Sequence, residues 1–112
     1  MAGLVIGDRA FEQRKLSTYR YDLGEAWKLH TGLPFVFAAW IANKKLDAGF
    51  ITEFNKATGA GMLQLEEVIA QNPSPLFDLR SYYTQHISYR LSDEKRKGLA
   101  LFLKKISESN IV

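Results

Sequence analysis

Three observations predict an α/β fold for this sequence. Residues Leu33–Ala42 form an almost wholly apolar run that stops at Asn43-Lys44-Lys45. The run is about half the length of a membrane-spanning helix and does not alternate, so it predicts a strand covered on both faces. Gly3–Asp8 also resembles a buried strand, and its Gly-Asp ending is typical of the carboxyl edge of a parallel sheet. Helix-period patterns beginning at Asp22 and Asp47 would supply the covering helices.

The first half of the chain alternates short elements. A helical turn is predicted over Ala10–Lys15 and a short strand over Thr18–Tyr21. Asp22 and Glu25 have the spacing of a capping box, and Gly32 can adopt the left-handed conformation that ends a helix. A helix is therefore predicted over Asp22–Thr31, followed by the strand Pro34–Ile41.

The second half is predicted to be helical. Asp47 can cap a long amphipathic helix that runs to about Ile69, although Gly59 and Gly61 interrupt it and can mark a kink. Further helices are predicted over Leu76–Ile87 and after Ser92, which stands before Asp93 and Glu94 at a helix start. Two or three strands cannot close a doubly covered sheet, so part of the sheet is expected to come from polypeptide outside this sequence.

Composition limits the function classes. The 112 residues allow one domain, and the 46% apolar content indicates a packed core rather than disorder. The absence of cysteine excludes disulfides and cysteine-based zinc sites. The net charge of +3 suits an anionic small molecule and only weakly suits nucleic acid. No targeting segment is recognised before the first apolar block, so a cytoplasmic location is expected.

Three blocks then carry a family resemblance: Leu4-Val-Ile-Gly-Asp-Arg-Ala10, Tyr21-Asp-Leu-Gly-Glu-Ala-Trp27 and Thr31-Gly-Leu-Pro-Phe-Val-Phe-Ala-Ala-Trp40. In this order and spacing the chain resembles the chorismate dehydratase family of the futalosine route to menaquinone. The tail Ile87–Phe102 resembles the C-terminal helix of that family. The resemblance covers essentially the whole chain, but only the second part of a family member. The related dihydroxynaphthoate synthases have a less aromatic crossing strand.

The resemblance implies part of a fold like the type II periplasmic binding proteins. Residues 1–42 would end the second α/β lobe and include the crossing strand, and residues 43–112 would return as helices to the first lobe. The implied activity is a hydro-lyase reaction that converts chorismate to 3-[(1-carboxyvinyl)oxy]benzoate. It implies a dianionic small-molecule substrate and no cofactor, metal, nucleic acid or membrane partner. Catalytic residues would lie mainly in the absent N-terminal part.

Five residues are candidates for substrate binding: Gly7, Asp8, Phe35, Phe37 and Trp40. Gly7 either permits close ligand approach or fits a tight turn. Asp8 either positions the cleft edge or caps the following helix, because a carboxylate facing a dianion directly would repel it. The three aromatic side chains either wall the substrate site or pack in the core, and the core is the more frequent role.

Other conspicuous residues have structural explanations. A capping box accounts for Asp22 and Glu25 without a catalytic carboxylate pair, and His30 and His86 lack the partners that a metal site needs. The mixed basic and aromatic stretch Arg80–Arg90 favours an amphipathic helix over nucleic-acid stacking. Lys95–Lys97 favours a solvated face.

Three functional hypotheses remain open from the sequence, of which a small basic nucleic-acid binder is the least favoured. The first is an incomplete lyase that is inactive without an N-terminal lobe supplied by another chain. The alternative is a non-catalytic carboxylate-binding or structural module of the same fold. In either case the isolated chain is expected to expose apolar surface and to self-associate.

Overall fold

The computed structural model describes residues 2–109, and the regular elements within that range are helices. Six α-helices follow in order, with a single π-helical turn at Tyr82–His86 between the last two. They are α1 Arg9–Leu16, α2 Leu23–Thr31, α3 Ala48–Met62, α4 Leu65–Gln71, α5 Leu79–Ser81 and α6 Asp93–Glu108. The prediction of a helical turn over Ala10–Lys15 is confirmed by α1.

The predicted α/β fold of the periplasmic-binding-protein type is wrong for the described residues. Helices occupy 58% of them, and neither a strand nor a sheet occurs between residues 2 and 109. The segments Leu4–Ile6, Thr18–Tyr21 and Pro34–Ile41 have no regular secondary structure. A strand is stabilised by the hydrogen-bond ladder it shares with a neighbouring strand. Apolar character alone therefore did not produce strands here, because no described segment pairs with them.

The chain divides into two compact units. The first contains the residues up to Leu16 together with Ile41–Ser88, and the second contains Ser17–Trp40 together with the chain from Tyr89 onward. Helices α1, α3, α4 and α5 belong to the first unit, and α2 and α6 to the second. The predicted lobe boundary between residues 42 and 43 stays a prediction.

Side-chain caps fix the starts of three helices where the sequence predicted them. The Asp22 carboxylate accepts hydrogen bonds from the backbone N–H groups of Gly24 and Glu25, at 2.9 and 3.1 Å. Asp47 accepts from Phe50 N–H at 3.0 Å, and Ser92 accepts from Lys95 N–H at 3.4 Å. These bonds satisfy N–H groups that the first helical turn leaves without intrahelical partners.

The second predicted helix is divided in two. Helix α3 ends at Met62, and α4 begins at Leu65 after a turn through Leu63 and Gln64. The backbone N–H groups of both turn residues bond three residues back, to Ala60 and Gly61 carbonyl oxygens, at 3.1 Å. The break between α3 and α4 directly follows Gly59 and Gly61, where the sequence predicted a possible kink. Glycine lowers the stability of a helix that continues through it.

The predicted helix over Leu76–Ile87 is shorter than expected. Its α-helical part begins only at Leu79, where the Asp78 carboxylate caps the turn by accepting from Arg80 N–H at 3.0 Å. The backbone then widens into the π-helical turn, which closes through an Ile87 N–H to Tyr82 carbonyl bond of 3.1 Å. The π-helix is rare and occurs mostly as a single turn of this kind.

Each unit is held together by a small cluster of side chains. In the first unit Leu79 is buried, with 8% of its surface exposed, and Glu66 and Arg80 form an ion pair between α4 and α5. In the second unit α6 lies directly against residues 33–34, because an ideal Cβ at buried Gly98 would fall 2.2 Å from the Pro34 carbonyl oxygen. Glycine is therefore required for this close approach.

Candidate functional site

The Gly7–Asp8 turn leads directly into α1. Gly7 has a φ of 66°, and its carbonyl oxygen accepts from Ala10 N–H at 3.0 Å, while that of Asp8 accepts from Phe11 N–H at 3.1 Å. A Cβ at Gly7 would meet no atom within 4 Å, so the backbone conformation and not the available space favours glycine. The local geometry supports the tight-turn interpretation of Gly7.

A surface hollow of about 440 Å³ lies beside this turn. Three apolar residues, Leu4–Ile6, line it together with Asp8 and Arg9. The Arg9 guanidinium can bind a carboxylate with paired hydrogen bonds, whereas the Asp8 carboxylate would repel one. Any ligand carboxylate in the hollow is therefore expected at Arg9. The positioning role expected for Asp8 stays a prediction.

Phe35 packs inside the second unit. Its ring lies edge-on to Phe102 with a centroid distance of 4.8 Å and to Trp27 at 5.7 Å. Trp27 and Phe102 also meet at 5.6 Å, which closes a three-ring cluster between α2, α6 and residues 33–35. Edge-to-face rings at these separations stabilise one another beyond the area they bury. The geometry favours the core interpretation of Phe35.

Phe37 and Trp40 differ from Phe35 in exposure. Phe37 touches Phe35 at a centroid distance of 4.9 Å, yet 78% of its surface is exposed, and Trp40 is 84% exposed. Ile41, the next residue, is 89% exposed. Large apolar side chains clustered on a surface mark a place where a ligand or another polypeptide is bound. The exposure of Phe37 and Trp40 fits either interpretation.

The structure brings together some of the five predicted site residues. Gly7 and Asp8 share the turn in the first unit, and Phe35 and Phe37 are in ring contact in the second. Trp40 belongs to the second unit as well. Their common role in substrate binding stays a prediction.

Asp22 and Gly32 have the helix-end roles that the sequence predicted. Asp22 caps α2, and Gly32 ends that helix with a φ of 74°, as its predicted left-handed stop requires. Across residues 2–109, no group of three or more histidine, aspartate or glutamate side chains lies close enough to hold a metal ion. Arg80 is paired with Glu66.

A second surface groove was not anticipated from the sequence. Phe11 of α1 stacks on Phe77 with a centroid distance of 3.8 Å, and the Tyr82 ring meets both edge-on at 5.3 Å. Arg14 and Lys15 of α1 line the same groove. Phe11 lies more than sixty positions before Phe77, so no local motif could have linked them. In the sequence, Phe11, Phe77 and Tyr82 share only the property of being aromatic.

One buried polar atom in the second unit lacks a partner. The Trp27 indole Nε1–H is enclosed and, among the described residues, no acceptor lies within hydrogen-bond distance. An unpaired buried donor costs roughly 1–3 kcal/mol. The rings of Phe35 and Phe102 pack edge-on against Trp27 beside this donor.

Comparison with known protein families identifies the class of protein. The sequence matches the family model described as menaquinone biosynthesis over residues 1–108, so the chain belongs to the menaquinone biosynthesis family. The resemblance to the chorismate dehydratase family is thereby confirmed at the level of the family. No solved structure matches the chain. Within residues 2–109, no helix is both long and apolar enough to cross a membrane.

Proposed function

We propose that this chain is the C-terminal part of a chorismate dehydratase-like hydro-lyase of menaquinone biosynthesis. The match to the menaquinone biosynthesis family over residues 1–108 carries the proposal. Three sequence blocks, around Gly7, Trp27 and Phe37, support the dehydratase within that family. The substrate is chorismate and the product is 3-[(1-carboxyvinyl)oxy]benzoate.

The proposed dehydration requires substrate binding and proton transfer. Loss of the ring proton at the ether-bearing carbon and of the neighbouring hydroxyl, as water, leaves an aromatic ring. The enzyme must bind a dianion, orient it and exchange protons with it. Arg9 beside the Gly7–Asp8 turn can receive one carboxylate. In the second unit, Phe37 and Trp40 are the sequence-based candidates for contact with the ring that becomes aromatic.

We further propose that activity requires an N-terminal polypeptide. Leu4 and Ile6, which line the hollow beside the Gly7–Asp8 turn, are 75% and 76% exposed. Phe37 and Trp40 are as exposed in the second unit. Leaving such clusters in water is unfavourable, since each fully buried large side chain gains about 1.5–3 kcal/mol. A partner that covers them would supply the remaining catalytic residues.

The test is reconstitution. The purified chain is assayed with chorismate, alone and with the N-terminal part of a dehydratase, while formation of the aromatic product is followed by liquid chromatography. Turnover is expected only with both polypeptides. Tight chorismate binding without turnover in the mixture would support the non-catalytic carboxylate-binding module instead. Failure of the mixture both to bind and to react would contradict the proposed function.

Variants refine the same assay. Phe37→Ala and Trp40→Ala are each expected to lower kcat/KM about fivefold, by removing one aromatic contact with the substrate. Leu63→Ala is the matched control, because Leu63 is 89% exposed in the turn between α3 and α4.

The proposal also includes the cytoplasmic location and the cofactor-free reaction that the sequence predicts. If the reaction needs no metal ion, dialysis of the mixture against a chelator should leave turnover unchanged.

A further inference from the structure

The groove on the first unit has an aromatic floor. It lies between α1 and residues 76–86, with a cavity volume of about 380 Å³. The Phe11–Phe77 stack and the edge-on Tyr82 ring form a three-ring surface along it. Phe11, Phe77 and Tyr82 are each only partly buried, so ring surface remains accessible. The volume falls at the small end of ligand pockets, which suits a molecule with one ring.

The groove also carries an excess of positive charge. Arg14 and Lys15, from the last turn of α1, line it together with one carboxylate, Asp78. That carboxylate accepts the Ser81 hydroxyl at 2.7 Å and the Arg80 backbone N–H at 3.0 Å. Its oxygens are therefore already hydrogen-bonded within the chain. Two cations beside an aromatic floor form a chemical combination that selects for an anion on a flat apolar body.

We propose that this groove is a binding site for a small aromatic carboxylate, whose ring rests on Phe11, Phe77 and Tyr82 and whose carboxylate pairs with Arg14 and Lys15. A neutral aromatic molecule would lose the ion pairs. An inorganic anion would lose the ring contacts.

The site is separate from the proposed substrate site. None of the five residues predicted to bind substrate lines the groove. The inference therefore does not rest on the dehydratase assignment, and groove binding requires neither turnover nor an N-terminal partner. The structural explanation of Arg14 and Lys15 is that cations stabilise the carboxyl end of α1 through the helix dipole. That explanation predicts no ligand.

The test uses the full chain and fluorine NMR of 4-fluorobenzoate, with 4-fluorobenzyl alcohol as a neutral probe of similar size. Saturable broadening of the benzoate signal is expected, with the alcohol binding about tenfold more weakly. The double variant Arg14→Gln/Lys15→Gln should weaken benzoate binding about tenfold. Phe77→Ala should weaken both probes.

A matched double variant controls for charge. Lys104→Gln/Lys105→Gln removes two adjacent cations from the last turns of α6, as the first double variant does from α1. It should leave benzoate binding unchanged, and circular dichroism should give the same helix content for both double variants. Equal loss in the two variants, no loss in either, or equal binding of acid and alcohol would overturn the proposal. Displacement of the fluorobenzoate by chorismate would leave it standing and widen its ligand class.

Discussion

At the scale of single residues, Gly98 decides how the second unit packs. An ideal Cβ there would lie 2.2 Å from the Pro34 carbonyl oxygen and 3.5 Å from the Leu33 Cβ. The nearest atom belongs to backbone, which cannot rotate away as a side chain can. The contact therefore joins α6 to residues 33–34 and, with Phe102, fixes the aromatic cluster of Phe35.

Gly98→Ala is expected to destabilise the chain by about 2 kcal/mol, because the added methyl group forces the two backbones apart. The measurement is urea denaturation followed by far-ultraviolet circular dichroism. Gly59→Ala is the control, since a Cβ at Gly59 would meet no atom within 4 Å. That variant should gain up to about 1 kcal/mol from its higher helix propensity. Equal effects of the two substitutions would contradict the close packing.

Hydrogen bonds lower the pKa of the Asp78 carboxyl group. The hydrogen bond from the Ser81 hydroxyl is the main cause that lowers the pKa of Asp78 below its ordinary value of 3.8, and backbone bonds and the Arg80 charge add to it. A carboxyl group with a lowered pKa in the folded chain stabilises it above its unfolded pKa. That contribution is lost as pH falls from 3.8 through the lower folded value.

Ser81→Ala is therefore expected to raise the pKa of Asp78 toward 3.8. Carbon-13 NMR titration of the Asp78 carboxyl group measures this directly. Ser81→Thr keeps the hydroxyl and should keep the lowered pKa. If the alanine and threonine variants titrate alike, the side-chain hydrogen bond of 2.7 Å is not the cause.

At the scale of elements, local polar signals fixed the helix ends. Asp22 and Gly32 bound α2 within a residue of the predicted Asp22–Thr31, and Ser92 starts α6. Each signal acts through bonds to backbone groups two to four residues away, so the sequence alone suffices. The break between α3 and α4 follows the same logic, because Gly59 and Gly61 weaken the helix where it turns.

Asp22→Ala is expected to cost about 1 kcal/mol of stability, because two N–H groups of α2 lose their acceptor. Asp22→Asn retains the acceptor oxygen and should lower the free energy of unfolding by only a few tenths of a kcal/mol. Urea denaturation of the three proteins gives the comparison. In the reconstituted enzyme, Asp22→Asn should keep normal turnover, and a large loss of kcat would mean that Asp22 takes part in catalysis.

Helix caps act locally, but strands depend on non-local bonds, and for this reason the strand predictions were wrong. Leu4–Ile6 and Pro34–Ile41 have strand-like composition, but a strand exists only through backbone bonds to another strand. Those bonds are non-local, and no residue pattern within the segment supplies them. In the described chain Phe35 instead anchors its segment through ring contacts with Trp27 and Phe102.

At the scale of the whole molecule, exposed apolar side chains dominate the behaviour of the chain. Among residues 2–109, Leu79 is the one buried hydrophobic side chain, and even it is 8% exposed. Three large apolar side chains lie within five positions of one another and are highly exposed: Phe37 (78%), Trp40 (84%) and Ile41 (89%). Such clusters are expected to associate in water.

The isolated chain is therefore expected to form dimers or larger species in sedimentation velocity at micromolar concentration. Trp40→Lys/Ile41→Lys should shift the distribution toward monomer by removing the cluster and adding charge. Leu63→Lys adds one positive charge at an isolated exposed leucine and should change the distribution less. A sharp monomer peak for the unsubstituted chain would contradict this prediction.

The predicted site shows the same division between local and distant information. The turn at Gly7–Asp8 could be identified from consecutive residues, whereas the exposure of Phe37 and Trp40 could not, because the sequence favoured a core role for both. The Phe11–Phe77–Tyr82 groove could not, because packing of α1 against residues 76–82 creates it. Phe35 looked like Phe37 in sequence, and only its contacts with α2 and α6 distinguish the two.

The sequence by itself determined the membership of the menaquinone biosynthesis family, both ends of α2 and the start of α6. It did so because blocks of adjacent residues carry the family pattern, and caps act within one helical turn. Only the tertiary structure decided that the apolar segments form no sheet here, that Phe35 is packed while Trp40 is exposed, and that cations meet an aromatic floor beside Phe77. These outcomes depend on contacts between residues far apart in the chain, which no local pattern specifies.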